Sequence, residues 1–400
     1  MFAGQTLMNN SLPKVAFVVQ RCGDSVVGGA EFLCLNLARR MSERWNIEIL
    51  TTCAADHYTW ENSYPEGVHV EDGLIIRRFL VDTPRDRKSF HRLSQKLNRK
   101  RWLLPLSIVE QEAWMQAQGP WASTLESFIL GNKDTYFAFL FFTYLYATTY
   151  FLLPCVKEKA WLVPCGHDEW AIKFSMWDAF FNLPKGYIFL TVEERDFLKK
   201  RFPRAALNGP VSGIGVEPPP LVRGENFRDA YNLSAPFLLY CGRVDQNKGC
   251  ADLVKYFLRF KKQHPSDLKL VLLGKGEIHI SAHPDILRCG FVDEETKWNA
   301  LAACDWLVNP SPHESLSIVI LEAWAVSKPV LINEACSVLV GHCARSNGGL
   351  SFKNYKDFAK ILLSVNAKER EKMGVNGNVY VRDNYAWNKI IEIYGSTVKK

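Results

Sequence analysis

The stretch Pro312–Ala323, which reads PHESLSIVILEA, decides how the second half of the chain folds. It follows an apolar run typical of a buried strand, Trp306–Asn309, and a Pro-Ser-Pro sequence at 310–312 that is typical of a loop. The apolar residues that come next predict a buried helix beginning near Ser315 to Ser317. The stretch therefore predicts a strand, a loop and a helix in succession.

Two glutamates flank the start of that predicted helix. Glu314 lies in the loop, and Glu322 lies about two turns inside the helix, rotated from it by ~80° at ~100° per residue. Between them, backbone amides and the positive end of the helix dipole favour an anion such as phosphate. Those amides belong to Leu316, Ser317, Ile318 and Val319. Carboxylates beside an anion site suit a phosphorylated ligand that carries hydroxyl groups, such as a nucleotide-sugar. The alternative is that no ligand site exists here, because a strand–loop–helix unit with two glutamates is common in α/β proteins.

A second cluster, at 237–249, places two cations after another predicted strand. The apolar run ends at Gly242, Arg243 and Lys248 follow, and Gly249 begins a predicted helix. Arginine presents a planar fork of donors and lysine a compact charge, so together they can neutralise a diphosphate. The glycines allow close approach of a backbone. The alternative is a solvated loop with two surface cations.

The two clusters together resemble retaining glycosyltransferases of the GT-B fold, in family 4 (glycosyl transferases group 1). The family pattern is a strand, Gly-Arg, Lys-Gly, a Gly-x-Gly turn and Glu-x7-Glu. This chain supplies, in order, Gly242-Arg243, Lys248-Gly249, Gly274-Lys275-Gly276 and Glu314 to Glu322. The resemblance is strongest over about 237–350 and extends weakly to the N-terminus through Gly28-Gly29-Ala30-Glu31. It implies an α/β protein with two Rossmann-like parallel-sheet domains facing a central cleft.

The alternation of predicted strands and helices agrees with two such domains. A stretch rich in proline and glycine, 208–220, reads as a linker between them. We therefore expect an N-terminal acceptor domain over 13–212, to which a C-terminal helix over 383–400 returns. A nucleotide-sugar donor domain is expected over 213–382.

The resemblance also implies roles for individual residues. Arg243 and Lys248 would hold the donor diphosphate, Glu322 would accept hydrogen bonds from the ribose, and Glu314 with the amides after it would fix the donor sugar. The other donor contacts expected are Gly28, Gly29, Gly242, Gly274, Val292 and Lys297, the last two at the base. The chain departs from the family pattern at Ser317 and at Ser327-Lys328, where small glycines are usual.

His167 is a further candidate, in the first half of the chain. It follows the strand-like run 161–164 and a glycine, and open α/β sheets place ligands beyond the carboxyl ends of their strands. In the resembling family a histidine at this point contacts the donor sugar. The expected catalytic set is therefore His167, Glu314, Arg243 and Lys248. The alternative is a histidine hydrogen-bonded within the face of its domain.

The chain shows no motif for a metal or an organic cofactor. It contains no Asp-x-Asp sequence and no His/Cys cluster with zinc spacing. We therefore expect a metal-independent site in which cations and a helix dipole stabilise the leaving diphosphate. The nucleotide-sugar would be a co-substrate, and no cofactor is expected.

Composition is that of an ordinary globular chain. The 400 residues suffice for two or three domains, and the net charge of +7 favours anionic ligands or a membrane surface. No nucleic-acid recognition motif is present. Eleven scattered cysteines without a C-x-x-C pair, and a leader without the features of a signal peptide, predict a reduced, cytoplasmic protein.

Two segments bear on membranes. The uncharged stretch 136–156 has the length of a membrane span, but its tyrosines, threonines and Pro154 favour a strand followed by a helix. The segment 77–101 holds ten Lys or Arg and two Asp, with Phe90, Leu93 and Leu97 on one helical stripe. It predicts either peripheral contact with an anionic membrane, at the inner face of the cytoplasmic membrane, or a solvated helix packed on its domain.

The function implied is a retaining transfer of a sugar from a nucleotide-sugar to a hydroxyl of a glycan or lipid-linked acceptor, in cell-surface polysaccharide or glycoconjugate biosynthesis. Two alternatives stay open. A glycoside hydrolase would need two carboxylates facing one another across a sugar, ~5–10 Å apart. A non-catalytic, two-lobed protein that binds sugars or nucleotides would not need the paired cations or His167.

Overall fold

The computed structural model describes residues 12–23, 26, 28–276 and 278–399. The chain divides into two compact units. Unit 1 runs to Gly213 and resumes at Ile391, and unit 2 comprises Ile214–Ile390. Each unit is built around one mostly parallel sheet, so the prediction of two Rossmann-like domains is confirmed.

The sheet of unit 1 has seven strands among the described residues, in the order β3-β4-β2-β1-β5-β6-β7. The strands are β1 Lys14–Val18, β2 Asn46–Thr52, β3 Gly67–Glu71, β4 Leu74–Phe79, β5 Ala138–Phe142, β6 Ala160–Val163 and β7 Gly186–Tyr187. All pairs are parallel except β3 with β4. Every residue of β5 is buried, as expected for a parallel strand covered on both faces.

The helices of unit 1 cover this sheet. They are α1 Gly29–Met41, α2 Arg87–Lys100, α3 Ile108–Gln118, α4 Ser123–Asn132, α5 Ala147–Leu152, α6 Met176–Phe180 and α7 Val192–Arg201. The core is rich in aromatic rings, with Trp114, Tyr144 and Trp177 buried among phenylalanines. Phe90 and Leu93 of α2 pack against this core, and Leu97 is buried in it.

The sheet of unit 2 is wholly parallel among the described residues, in the order β10-β9-β8-β11-β12-β13. The strands are β8 Phe237–Cys241, β9 Lys269–Leu273, β10 Ile286–Gly290, β11 Trp306–Asn309, β12 Val330–Asn333 and β13 Gly349–Phe352. The helices are α8 Gly224–Ala230, α9 Cys250–Gln263, α10 Glu294–Ala303, α11 Ile318–Ala325, α12 Ser337–Ser346, α13 Tyr355–Ser364 and α14 Ala367–Asn384. The alternation of buried strands with amphipathic helices is what the sequence predicted for this half.

The C-terminal segment differs from the single helix expected over 383–400. Residues Asp383 and Asn384 end α14 in unit 2, and a separate helix, α15 Trp387–Val398, follows. Unit 1 resumes within α15, at Ile391, where Tyr394 is fully buried and Arg44 pairs with Glu392 at 3.0 Å. The helix therefore begins later than expected.

The apolar stretch 136–156 is not a membrane span. It forms β5, the short helix α5 and the start of a 3₁₀ segment over Leu153–Lys159. Within the described ranges, no helix combines the length and the apolar character needed to cross a bilayer. All eleven cysteines are free thiols.

Candidate functional site

The strand order of unit 2 reverses between β8 and β11. From β8 the chain moves outward through β9 and β10, then returns to place β11 on the other side of β8. In open α/β sheets, ligands bind beyond the carboxyl ends of the strands at such a reversal. The two sequence clusters lie there, because Gly242–Gly249 follows β8 and Pro310–Ser317 follows β11.

Glycines allow these loops to pack backbone against backbone. Gly274 has φ +130°, and a Cβ on it would lie 1.9 Å from the carbonyl oxygen of Gly242. Gly249, the residue before α9, has φ +73°, and a Cβ there would lie 2.4 Å from the carbonyl oxygen of Pro310. Any other residue at these two positions would force the loops apart.

An ion pair joins the loop after β8 to the loop after β11. Lys248 Nζ lies 2.7 Å from Oε1 of Glu314, and both side chains are largely buried. The Lys248 amide also donates to Asp245 Oδ1, at 2.8 Å. The structure therefore brings together one predicted diphosphate ligand and one predicted sugar ligand.

Arg243 is the most exposed of the predicted site residues on this loop, with 41% of its side chain accessible. Its Nε lies 3.7 Å from Oδ2 of Asp245, too far for a hydrogen bond. Its carbonyl oxygen accepts a hydrogen bond from the Tyr240 hydroxyl, at 2.5 Å. The backbone of Arg243 is thus held, while its guanidinium reaches solvent and can meet an anion.

Helix α11 begins as the sequence predicted. Ser317 precedes the helix in the left-handed conformation, with φ +65°, and its hydroxyl accepts a hydrogen bond from Asn309 Nδ2 at 2.8 Å. Ile318 and Val319 occupy the first two helical positions, whose amides have no acceptor within the helix. Leu316 is buried below them. The predicted amides therefore do lie at a helix N-terminus.

Glu322 lies in the second turn of α11, nearer the helix start than the two turns expected. Its side chain is almost fully buried, and Oε1 lies 2.8 Å from Nζ of Lys297 on α10. Lys297 also pairs with Glu294, at 2.8 Å. Burial raises the pKa of the Glu322 carboxyl, and the Lys297 ammonium opposes that shift. Burial would lower the pKa of Lys297, but Glu322 and Glu294 outweigh it and raise the pKa.

Val292 and Lys297, expected to border the base, both follow β10. Val292 lies half-buried in the loop after this strand. Lys297 pairs with two carboxylates, one on α10 and one on α11. In this structure its ammonium neutralises the buried Glu322.

Helix α12 packs against the C-terminal end of α11 through His342. His342 is fully buried, and its ring packs against Trp324 of α11, 6.3 Å between centroids, and against Tyr380. Burial, with a smaller contribution from the nearby Arg345, lowers the pKa of His342 to about 3. The imidazole is therefore neutral at physiological pH.

Gly28 and Gly29 lie at the start of α1 in unit 1, and their surroundings differ. A Cβ on Gly28 would lie 2.1 Å from Oε2 of Glu31, whereas a Cβ on Gly29 would meet nothing within 4 Å. Glu31 is buried and pairs with Arg21 at 2.6 Å. A side chain at position 28 would therefore displace the Glu31 carboxylate, whereas Gly29 borders open space.

His167 follows β6 in unit 1. In this sheet the strand order reverses between β1 and β5, and β6 is the neighbour of β5. Its Nε2 lies 4.0 Å from Oε1 of Glu169, and the Tyr144 hydroxyl donates to that same oxygen at 2.6 Å. The Gly166 amide donates to the buried Glu194, at 2.6 Å. The loop that carries His167 is thus anchored at both sides, with the imidazole one-third exposed.

Three residues that shape the site in unit 2 were not anticipated. Asp245 binds the Lys248 amide, Asn309 binds both Ser317 and the Ser311 amide, and Asn333 Nδ2 donates to the Pro310 carbonyl. Asp and Asn at loop starts commonly bond to a backbone two or three residues on. The position of Asp245 and Asn309 at the start of a loop could therefore have predicted their bonds to the nearby backbone. It could not have predicted the bond from Asn333, which reaches a loop 23 positions away.

Across the described residues, no group of three or more His, Cys, Asp or Glu side chains could hold a metal ion. The charged groups described above are Arg243 and Lys248 on the loop after β8 and Lys297 on α10, each beside a carboxylate. Such a set can bind phosphate oxygens through its cations and hydroxyl groups through its carboxylates.

Part of the chain is similar to a known family of proteins. Residues 235–366 match the family model described as glycosyl transferases group 1. Over 120 residues the chain is 28% identical to N-acetylgalactosamine-N,N'-diacetylbacillosaminyl-diphospho-undecaprenol 4-alpha-N-acetylgalactosaminyltransferase of Campylobacter jejuni. That match spans 28% of this chain and 31% of the length of the Campylobacter protein.

Solved structures are similar over nearly the whole chain. Sucrose-phosphate synthase from Thermosynechococcus elongatus has a TM-score of 0.71 at 16% identity, covering 96% of this chain and 98% of that one. Anabaena HepE in complex with UDP and glucose has a TM-score of 0.69 at 14% identity, covering 97% and 99%. At these identities the likeness establishes the fold, which is GT-B. The fold and the family match together support a glycosyltransferase.

Proposed function

We propose that this protein is a retaining glycosyltransferase of family 4, which moves a sugar from a nucleotide-sugar to a hydroxyl group. The observation that carries the proposal is the pair of lysine–glutamate contacts beyond the strand ends of unit 2, Lys248 with Glu314 and Lys297 with Glu322. Each carboxylate has its own lysine. A hydrolase would instead use two carboxylates acting on one glycosidic bond.

In the proposed reaction, Arg243 and Lys248 bind the diphosphate, together with the amides at the start of α11. Their contribution grows as negative charge develops on the departing phosphate, which is how preorganised donors accelerate a reaction. Glu322 accepts hydrogen bonds from the ribose, and Glu314 from the donor sugar. His167 and the Gly28–Gly29 turn are proposed further contacts of the donor, and Gly242, Gly274 and Val292 border it.

The acceptor hydroxyl oxygen attacks the anomeric carbon on the face that the leaving group departs from. A new carbon–oxygen bond forms, the bond to the phosphate oxygen breaks, and that oxygen takes the hydroxyl proton. No metal ion is needed in this scheme, because the cations and the helix dipole stabilise the nucleoside diphosphate. The configuration at the anomeric carbon is retained.

The acceptor proposed is a glycan or a lipid-linked saccharide in the synthesis of cell-surface polysaccharide or glycoconjugate. Support comes from the Campylobacter relative, whose name describes a diphospho-undecaprenol acceptor. A cytoplasmic protein, working at the inner face of the cytoplasmic membrane, would reach both a nucleotide-sugar and a lipid-linked acceptor.

A thermal-shift screen against nucleotides and nucleotide-sugars, run in EDTA, tests the donor class. A ligand at 100 times its Kd stabilises the native state by about 2.7 kcal/mol, so the correct base should stand out. Slow hydrolysis of that donor, followed by NMR, should first release the sugar anomer that the donor contains. Release of the opposite anomer would contradict the retaining reaction, and loss of binding in EDTA would contradict the metal-free site.

A further inference from the structure

The turn between α2 and α3 exposes a run of large apolar side chains. Five residues within eight positions are 46–82% exposed, and we call them the apolar tip: Trp102, Leu103, Leu104, Ile108 and Val109. Single apolar residues are common on protein surfaces, but a run of them marks a binding surface. Nothing in the proposed transfer reaction accounts for this one.

The backbone of the turn is already hydrogen-bonded to the end of α2. The amides of Trp102, Leu103 and Leu104 donate to carbonyl oxygens of Arg99 and Lys100, at 3.2, 2.8 and 2.9 Å. Amides without acceptors are costly in an apolar medium. Because these amides are satisfied internally, the turn can leave water without losing their hydrogen bonds.

The neighbouring face of α2 is cationic. Lys88, Arg92 and Lys96 repeat every four residues and are exposed, and exposed Arg99 continues the row to within one turn of Trp102. The apolar stripe of α2 is not available for lipid, because it packs on the core of unit 1. Contact with lipid through that stripe is therefore ruled out, which leaves the cationic row and the apolar tip.

We propose that the apolar tip inserts into the interface of an anionic bilayer while the cationic row binds lipid headgroups. Tryptophan favours the boundary between headgroups and acyl chains, and leucine and valine favour the acyl region. Positive charge attracts the surface to anionic lipid, and its effect falls as salt rises. This surface belongs to unit 1 and needs no donor, so its test is independent of the proposed transferase reaction.

The test is co-sedimentation of the full chain with vesicles of phosphatidylcholine alone or with one-third phosphatidylglycerol. We expect binding to the anionic vesicles at low salt and weaker binding at 0.5 M salt. Neutralising three cations with K88Q/R92Q/K96Q should weaken binding about 100-fold, since each cation near the surface accounts for about a fivefold change. W102S/L103S/L104S should weaken it at every salt concentration.

Matched variants elsewhere on the chain serve as controls. For the apolar tip, the control is L221S/L363S, because Leu221 and Leu363 are similarly exposed. For the cationic row, the control is K199Q/K200Q, because Lys199 and Lys200 are exposed cations of α7. Both control variants should bind vesicles like the wild type. Brominated acyl chains should quench wild-type fluorescence more than that of Trp102→Phe, which keeps an aromatic ring at the tip. Equal sedimentation with both vesicles, or equal quenching of both proteins, would overturn the proposal and assign the tip to a protein partner.

Discussion

Lys248 Nζ lies 2.7 Å from Oε1 of Glu314, although 66 positions separate the two residues in the chain. The pair links the loop after β8 to the loop after β11, at the reversal of strand order in unit 2. A cation that can bind a phosphate thus lies within hydrogen-bond distance of a carboxylate that can bind a sugar hydroxyl. The proposed function depends on this juxtaposition more than on any single residue.

The Lys248–Glu314 pair should contribute to stability as well as to binding. Because both side chains are mostly buried, a double-mutant cycle with Lys248→Gln and Glu314→Gln should give a coupling free energy of about 1–2 kcal/mol. The exposed Lys173–Asp168 pair, at 3.2 Å, offers a control with a coupling below about 1 kcal/mol. Chemical denaturation measures both values, and equal couplings would show that burial does not strengthen the Lys248–Glu314 pair.

Glu322→Gln should weaken binding of the nucleotide-sugar by about 1.5–3 kcal/mol, because the ribose hydroxyls lose a charged acceptor. Glu294→Gln is the matched control. It removes the other carboxylate of Lys297, and Glu294 is two-thirds exposed. Calorimetry should show donor affinity reduced in the first variant and unchanged in the second. If both variants bind alike, Glu322 is a structural partner of Lys297 only.

Two serines stand in left-handed backbone, where glycine is favoured. Ser327 has φ +57° and Ser317 has φ +65°. Ser327→Gly should raise the free energy of unfolding by about 0.5–1 kcal/mol, because a side chain in this conformation is strained. Ser317→Gly should gain less, since it also loses the hydrogen bond from Asn309. Thermal melts rank the two variants, and a larger gain for Ser317→Gly would contradict the strain argument.

His342 should make unit 2 less stable in mild acid. Its folded pKa, about 3, lies below the ordinary value of 6.5, so the unfolded chain binds a proton that the folded chain does not. The stability that depends on the neutral ring is complete above about pH 6.5. It is lost as pH falls, by up to about 1.4 kcal/mol per pH unit. The difference in unfolding free energy between wild type and His342→Gln should therefore shrink from pH 7 to pH 4, and a constant difference would refute this.

Much of the fold of unit 2 was predictable, because its strands are short apolar runs between loop signals. Strand β8 ends at Cys241, next to the Gly242 at which the apolar run was expected to end, and α11 begins at Ile318, one residue after the expected range. Strand β10, Ile286–Gly290, is not apparent from the sequence, because it is mostly half-buried and contains an arginine, so it lacks the apolar run of a central strand. In unit 1, the antiparallel edge strand β3 alternates between half-buried and exposed residues and is not apparent for a related reason.

The positions of the site residues were more predictable than their partners. The position of a loop follows from the local sequence, so the loops after β8 and β11 could be predicted to carry candidate site residues. Ion pairing depends on how distant segments meet. Lys297 and Glu322 are 25 positions apart and lie on different helices, so no local pattern announces their contact. The same holds for Asn333, which binds Pro310 across 23 positions.

Calorimetric titration of nucleoside diphosphates, in EDTA, into the wild type and Lys248→Ala tests the proposed diphosphate site most directly. We expect one nucleoside diphosphate to bind the wild type with one site per chain. Binding to folded Lys248→Ala should be at least about tenfold weaker, since a charge-assisted bond to the diphosphate is lost. Wild-type affinity in the variant, or no binding of any nucleoside diphosphate to the wild type, would refute the proposed site.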